Sequence, residues 1–245
     1  LSMPSGRAQD LRRRLIDAIE ALQPPPGSPS FAAAERYRRA EAAGAQGDLA
    51  YKVALQLGAA LYYLPDYPAA AAAFARAAGL ASGNDAAEAT YWAAEAYLKA
   101  QRWQEARAEG ERYLQRAPNG PRASLAALVA ARAALAQKDA LAAASLLERG
   151  LATAQGETAA EMQFLLGEAL QDQGKLQEAA TAFLKVAVLH GESAWAAEAQ
   201  LRAGRVLEMA GEAARAREVY RALLERYAES KPAQEAKQRL AALGG

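Results

Sequence analysis

Few side chains in this 245-residue chain could do covalent chemistry, and none is arranged for it. With no Cys there is no thiol nucleophile, thiolate metal site or disulfide. His190 is the one imidazole, beside Gly191 where a helix ends, a place for a cap or loop residue rather than a general base. Glu161 and Glu168 stand seven apart on one helix, the spacing of two solvated carboxylates. Ser145 has no base partner. Pro118-Asn119-Gly120-Pro121 puts one Gly between two prolines, a turn and not a phosphate-binding loop. No cluster of acids with His has metal-ligand spacing. The expectation is a protein that is not an enzyme and takes no cofactor or metal.

What the chain does carry is a pattern returning every 36 or 37 residues. A small residue is followed by a large one three positions on, Ala at twelve and a large one at sixteen. Good copies are Gly58, Leu61, Ala70, Phe74; Gly167, Leu170, Ala179, Phe183; and Gly204, Leu207, Ala216, Tyr220. The copy at Ala94, Tyr97, Ala106 ends on Gly110, and a weaker one runs from Ala131 through Ala143 to Leu147. Such periods predict a solenoid whose units cannot bury their apolar faces alone. Apolar residues make up 52%, dominated by Ala with little Val or Ile, which favours helix over strand.

Turn residues divide the pattern into helices. The sequence predicts one over residues 8–22 bearing Arg12, Arg13 and Arg14, a Pro-rich break through Pro29, and a helix over 31–43 capped by Ser30. Five hairpins follow, over 49–64 with 67–80, 85–100 with 103–116, 124–137 with 140–152, 158–173 with 176–189, and 193–210 with 213–227. A last helix covers 232–243, with Pro232 tolerable in its first turn. The expected organisation is a degenerate helical pair over 1–48, repeats over 49–229 and a closing helix within 230–245. The small residues face the crossing of helices A and B in each hairpin, matched by Ala70, Ala106, Ala143, Ala179 and Ala216 on helix B. Phe74, Leu147, Phe183 and Tyr220 are expected to fill the space between adjacent hairpins.

Gly167-Glu168-Ala169-Leu170, Gly174-Lys175-Leu176, Glu178-Ala179 and Phe183 resemble a tetratricopeptide repeat, as do Gly204, Leu207, Gly211, Ala216 and Tyr220. The resemblance covers about residues 49–228 and departs from the family's period of about 34 residues. It implies an all-α, TPR-like helical-hairpin solenoid with a right-handed superhelix. The longer period and the run from Tyr227 through Ala228 to Pro232 are similar to bacterial envelope repeat proteins. Those include Tol–Pal-associated periplasmic coordinators and lipoprotein partners of outer-membrane barrel assembly. That resemblance implies a periplasmic or outer-membrane-associated adaptor, the alternative being a cytoplasmic scaffold. The segment Leu1-Ser2-Met3-Pro4-Ser5-Gly6 carries neither a signal core nor a lipidation signature, and its leading Leu reads as a trimmed start.

The surface expected to bind is the concave face of the A helices. It is predicted to present Leu55, Ala59 and Tyr62; Tyr91, Glu95 and Leu98; Leu128, Arg132 and Leu135; Phe164, Glu168 and Gln171; and Leu201, Arg205 and Glu208. The expected partner is another protein or peptide, with apolar side chains against the aromatics and a carboxylate against Arg132 or Arg205. A net charge of +1 and the lack of a continuous basic stripe speak against nucleic acid. The cluster of Arg7, Arg12, Arg13 and Arg14 has ordinary neighbours, which speaks against direct membrane contact. The alternative is a structural or self-assembling scaffold whose outer flanks meet another copy.

Overall fold

A computed structural model describes residues 31–244, and among them the chain forms twelve helices and no strand. They are α1 (Phe31–Ala42), α2 (Asp48–Tyr63), α3 (Tyr67–Leu80), α4 (Gly83–Lys99), α5 (Trp103–Arg116), α6 (Ala123–Ala136), α7 (Ala140–Leu151), α8 (Gly156–Asp172), α9 (Leu176–Leu189), α10 (Ala196–Met209), α11 (Ala213–Arg226) and α12 (Lys231–Ala242). The all-α helical-repeat expectation is met, and α3, α5 and α9 have the bounds read from the sequence. The largest difference is at α10, expected to begin at Ser193. There the Ser193 hydroxyl accepts from the Trp195 amide at 3.0 Å, and the Ser193 amide donates to the His190 carbonyl at 2.9 Å. This local turn competes with the helix and delays its start. The helix read over 8–22, its arginines, the Pro-rich break and the Ser30 cap lie outside the described residues.

The chain divides between Gly120 and Pro121 into two compact units. The first holds α1 to α5 and the second α6 to α12. Inside each, short caps and turns set the helix limits. Asp66 accepts from the Ala69 amide at 3.3 Å, Asp139 from Ala142 at 3.1 Å and Ser230 from Ala233 at 3.3 Å. Four A-to-B turns share one construction. Gly174 and Gly211 take positive φ, and in the equivalent places Gln101 and Lys138 do so at 58° and 60°. In each turn the next residue donates back across the helix end, as Lys175 does to Leu170 and Asp139 to Ala134.

The small residues sit where two helices cross most closely. A β-carbon on Gly58 would lie 2.6 Å from the Phe74 ring, and one on Gly167 2.6 Å from the Phe183 ring. Gly204 and Tyr220 repeat the arrangement. Phe74, Phe183 and Tyr220 therefore cover the small residue of their own hairpin. Phe74 reaches further and stacks on Trp92 of the next A helix, with centroids 6.2 Å apart.

Candidate protein-binding site

In the second to fifth hairpins the residue three before the crossing turns inward. Tyr91, Leu128, Phe164 and Leu201 are only 7%, 5%, 4% and 2% exposed. This corrects the expectation that they present side chains to a partner. The two rings pack on the B helix of their own hairpin, and Phe164 also on the next loop. Tyr91 meets Tyr113 of α5 edge-on at 6.4 Å, while Phe164 lies 5.3 Å from Phe183 and 5.0 Å from Trp195. In the first hairpin the equivalent residue, Leu55, is half-buried and does reach the surface.

In the first unit an aromatic pocket opens between the exposed faces of α2 and α4. It encloses about 430 Å³ and is lined by Leu55, Gln56, Ala59, Tyr62, Tyr63, Phe74, Glu88 and Trp92. The expected trio of Leu55, Ala59 and Tyr62 forms one wall. Tyr63 is 69% exposed at the rim. Tyr62 packs edge-on against Trp92 at 6.1 Å and Tyr67 at 5.4 Å. Glu88, one turn before Trp92, accepts its indole N–H at 2.9 Å and fixes the ring's orientation. Burial, then the Glu95 charge, push the Tyr62 phenol up to about 12. Leu98 is half-buried one turn further along α4.

The second unit treats the same face differently, because its polar side chains pair across neighbouring helices. Arg132 of α6 donates to Glu161 of α8, and Arg202 of α10 lies 3.6 Å from Glu168 of α8. Arg205 lies 3.8 Å from Glu235, and Arg239 of α12 lies 3.3 Å from Glu208, which also accepts from the Tyr220 hydroxyl. Burial raises the Glu168 carboxyl above its usual range, with Arg202 opposing. The Arg239 hydrogen bond lowers Glu235. Glu161 and Glu168, read as solvated, are thus engaged between helices, and Arg132 and Arg205 already have carboxylates beside them. Leu135 and Gln171 border a smaller pocket of about 190 Å³ with Glu168, Asp172 and Arg202.

Sequence reasoning missed Trp92, Tyr63 and Glu88. Their signal was a stripe starting two residues before the crossing rather than three, with Glu88 and Trp92 one turn apart. Of the residues weighed for chemistry, His190 sits at the C-cap of α9, its amide donating to the Val186 carbonyl at 2.9 Å. Ser145 is exposed on α7. Among the described residues no group of three or more His, Asp or Glu is placed to hold a metal ion. None of the described helices is long and apolar enough to cross a membrane.

Family models of the tetratricopeptide repeat match residues 55–121, 128–195 and 198–230. The chain belongs to the tetratricopeptide repeat family. A comparison with curated proteins finds no match. Among solved structures it is similar to the apo form of RapI, with a TM-score of 0.67 at 12% identity over 84% of this chain. The chain spans 62% of the RapI length. It is similar to YrrB, described as a TPR protein with an unusual peptide-binding site, with a TM-score of 0.63 at 20% identity over 84% of this chain and 99% of YrrB. MamA from Desulfovibrio magneticus RS-1 gives 0.62 at 20% identity over 76% of this chain and 99% of that one. These likenesses establish the fold.

Proposed function

We propose that this protein is a non-enzymatic adaptor that holds a peptide segment of a partner protein in the Tyr62–Trp92 pocket. The observation that carries the reading is the contrast between the two units. On the second, the polar side chains of the A-helix face pair with each other. On the first, that face carries an apolar pocket lined by four aromatic rings, the type of surface where binding energy concentrates. The peptide-binding site named for YrrB adds support from a protein of the same fold. A photoreactive phenylalanine placed at Tyr63 tests it in the native host. Cross-linking to a partner polypeptide should fall at least tenfold when Trp92→Ala is added to a chain whose circular dichroism is unchanged. A yield indifferent to Trp92 would contradict the site.

A bacterial envelope setting is part of this proposal, supported by how the hairpin ending is built. The Tyr227 hydroxyl donates to the Gly191 carbonyl at 2.9 Å, fastening one exit turn to the preceding one, and Ser230 caps α12 with Pro232 in its first turn. Fractionation of the native host tests this, and recovery only from the cytoplasm would overturn it. A self-assembling scaffold is the second reading, favoured by Leu141, Val188 and Leu189, large apolar side chains exposed on α7 and α9. Light scattering that grows with concentration, without any ligand, would support that reading.

A further inference from the structure

The pocket of the first unit is apolar inside and acidic around. Glu88 and Glu95 flank its aromatic wall, and Asp85 lies a turn before Glu88 on α4. On α2, Lys52 is occupied by Asp48 at 2.7 Å and so offsets a carboxylate of its own helix. The rings of Tyr62, Tyr63 and Trp92 present electron-rich faces, which attract a cation and do nothing for an anion. Adjacent carboxylates strengthen that preference, and a lone acidic side chain entering here would meet like charge. A Lys or Arg stem also suits the interior, since its methylenes can lie along Leu55 and Ala59 while the charge stays at the acidic rim.

We propose that the pocket selects a partner segment carrying a basic side chain next to apolar ones, and that it discriminates against acidic segments. The inference rests on the peptide-holding reading above and names its ligand class. The earlier sequence expectation of an acidic partner was built on Arg132 and Arg205, which the second unit pairs internally.

Three capped peptides test it with the full chain. They are identical except for a central lysine, norleucine or glutamate between leucines, and binding is followed by fluorescence anisotropy at low and high salt. The lysine peptide should bind about fivefold or more tightly than the norleucine one, with an advantage that shrinks in salt. The glutamate peptide should bind most weakly. In the double variant Glu88→Gln and Glu95→Gln, which keeps hydrogen-bond acceptors, the ratio of lysine to norleucine affinity should fall at least threefold. Equal or better binding of norleucine or glutamate by the wild-type chain, lost on Trp92→Ala, would overturn the charge preference and leave the pocket reading standing. No saturable binding by any of the three, even at millimolar concentration, would overturn both.

Discussion

The Phe183 ring crosses Gly167 so closely that a β-carbon there would lie 2.6 Å from ring carbon Cε1. Phe183 is fully buried, so the ring has nowhere to retreat and the helices would have to part. Gly167→Ala should therefore destabilise the fold by about 1–3 kcal/mol. Gly79, exposed on α3 with nothing within 4 Å of an added β-carbon, is the control. There the change to Ala should be neutral or stabilise by up to about 1 kcal/mol, because only helix propensity is altered. Urea transitions of the two variants check the pair, and a Gly167→Ala midpoint equal to wild type would refute the close crossing.

Lys138 occupies a turn position whose counterparts are Gly174 and Gly211, and it does so at φ 60°. A side chain in the left-handed region costs about 1 kcal/mol that glycine avoids. Lys138→Gly should accordingly raise stability by about 0.5–1 kcal/mol, with the larger entropy of the unfolded glycine offsetting part of the gain. A lowered thermal midpoint would show that the lysine side chain contributes something its backbone geometry does not reveal.

Neighbouring aromatics on α4 have opposite roles. Tyr91 is buried against Tyr113, so Tyr91→Ala should cost about 3 kcal/mol or more of stability. Half-buried Trp92 faces the pocket, and Trp92→Ala should instead weaken peptide binding by more than about 1 kcal/mol in a chain that stays folded. Denaturant melts and binding titrations of the two variants should separate these effects. Reversed results would exchange the two assignments.

Glu109 on α5 supplies a pH signature. Arg112 donates to its Oε1 at 2.6 Å, and its buried Oε2 has no hydrogen-bond partner. Burial raises this carboxyl above 4.5, with Arg112 and Arg116 opposing. The folded state thus holds the proton more tightly than the unfolded one. Its contribution to stability is full below 4.5 and is lost as pH rises through the raised folded value. Acidification from neutral pH toward 4.5 should then favour the wild type over Glu109→Gln, which has no ionisation there. Thermal midpoints of both proteins across that range check it, and a difference that does not change with pH would contradict the burial effect.

The fold was legible because its rule is local and repeated. A small residue every 36 or 37 positions, Ala-rich helices and turns at Gly174 and Gly211 are all visible without coordinates. The site was half legible. Leu55, Ala59 and Tyr62, read from the sequence as facing a partner, line the pocket, but the next repeat contributes Trp92 in place of Tyr91. One position turns a helical side chain through about 100°, enough to exchange core for surface. The pairing of Arg132 with Glu161, or Glu208 with Arg239, was hidden for another reason. These partners come from different hairpins, and helical periodicity does not set how neighbouring hairpins align their long side chains.

The most direct measurement of the central claim is the indole N–H resonance of Trp92 in a peptide titration of the full chain. The chain has three tryptophans, and Trp195 lies against Phe164 in the second unit. With the lysine-centred peptide, the Trp92 signal should shift saturably in step with binding measured by anisotropy, while the Trp195 signal stays in place. Saturable binding that leaves Trp92 unmoved would contradict the assignment of the Tyr62–Trp92 pocket as the site.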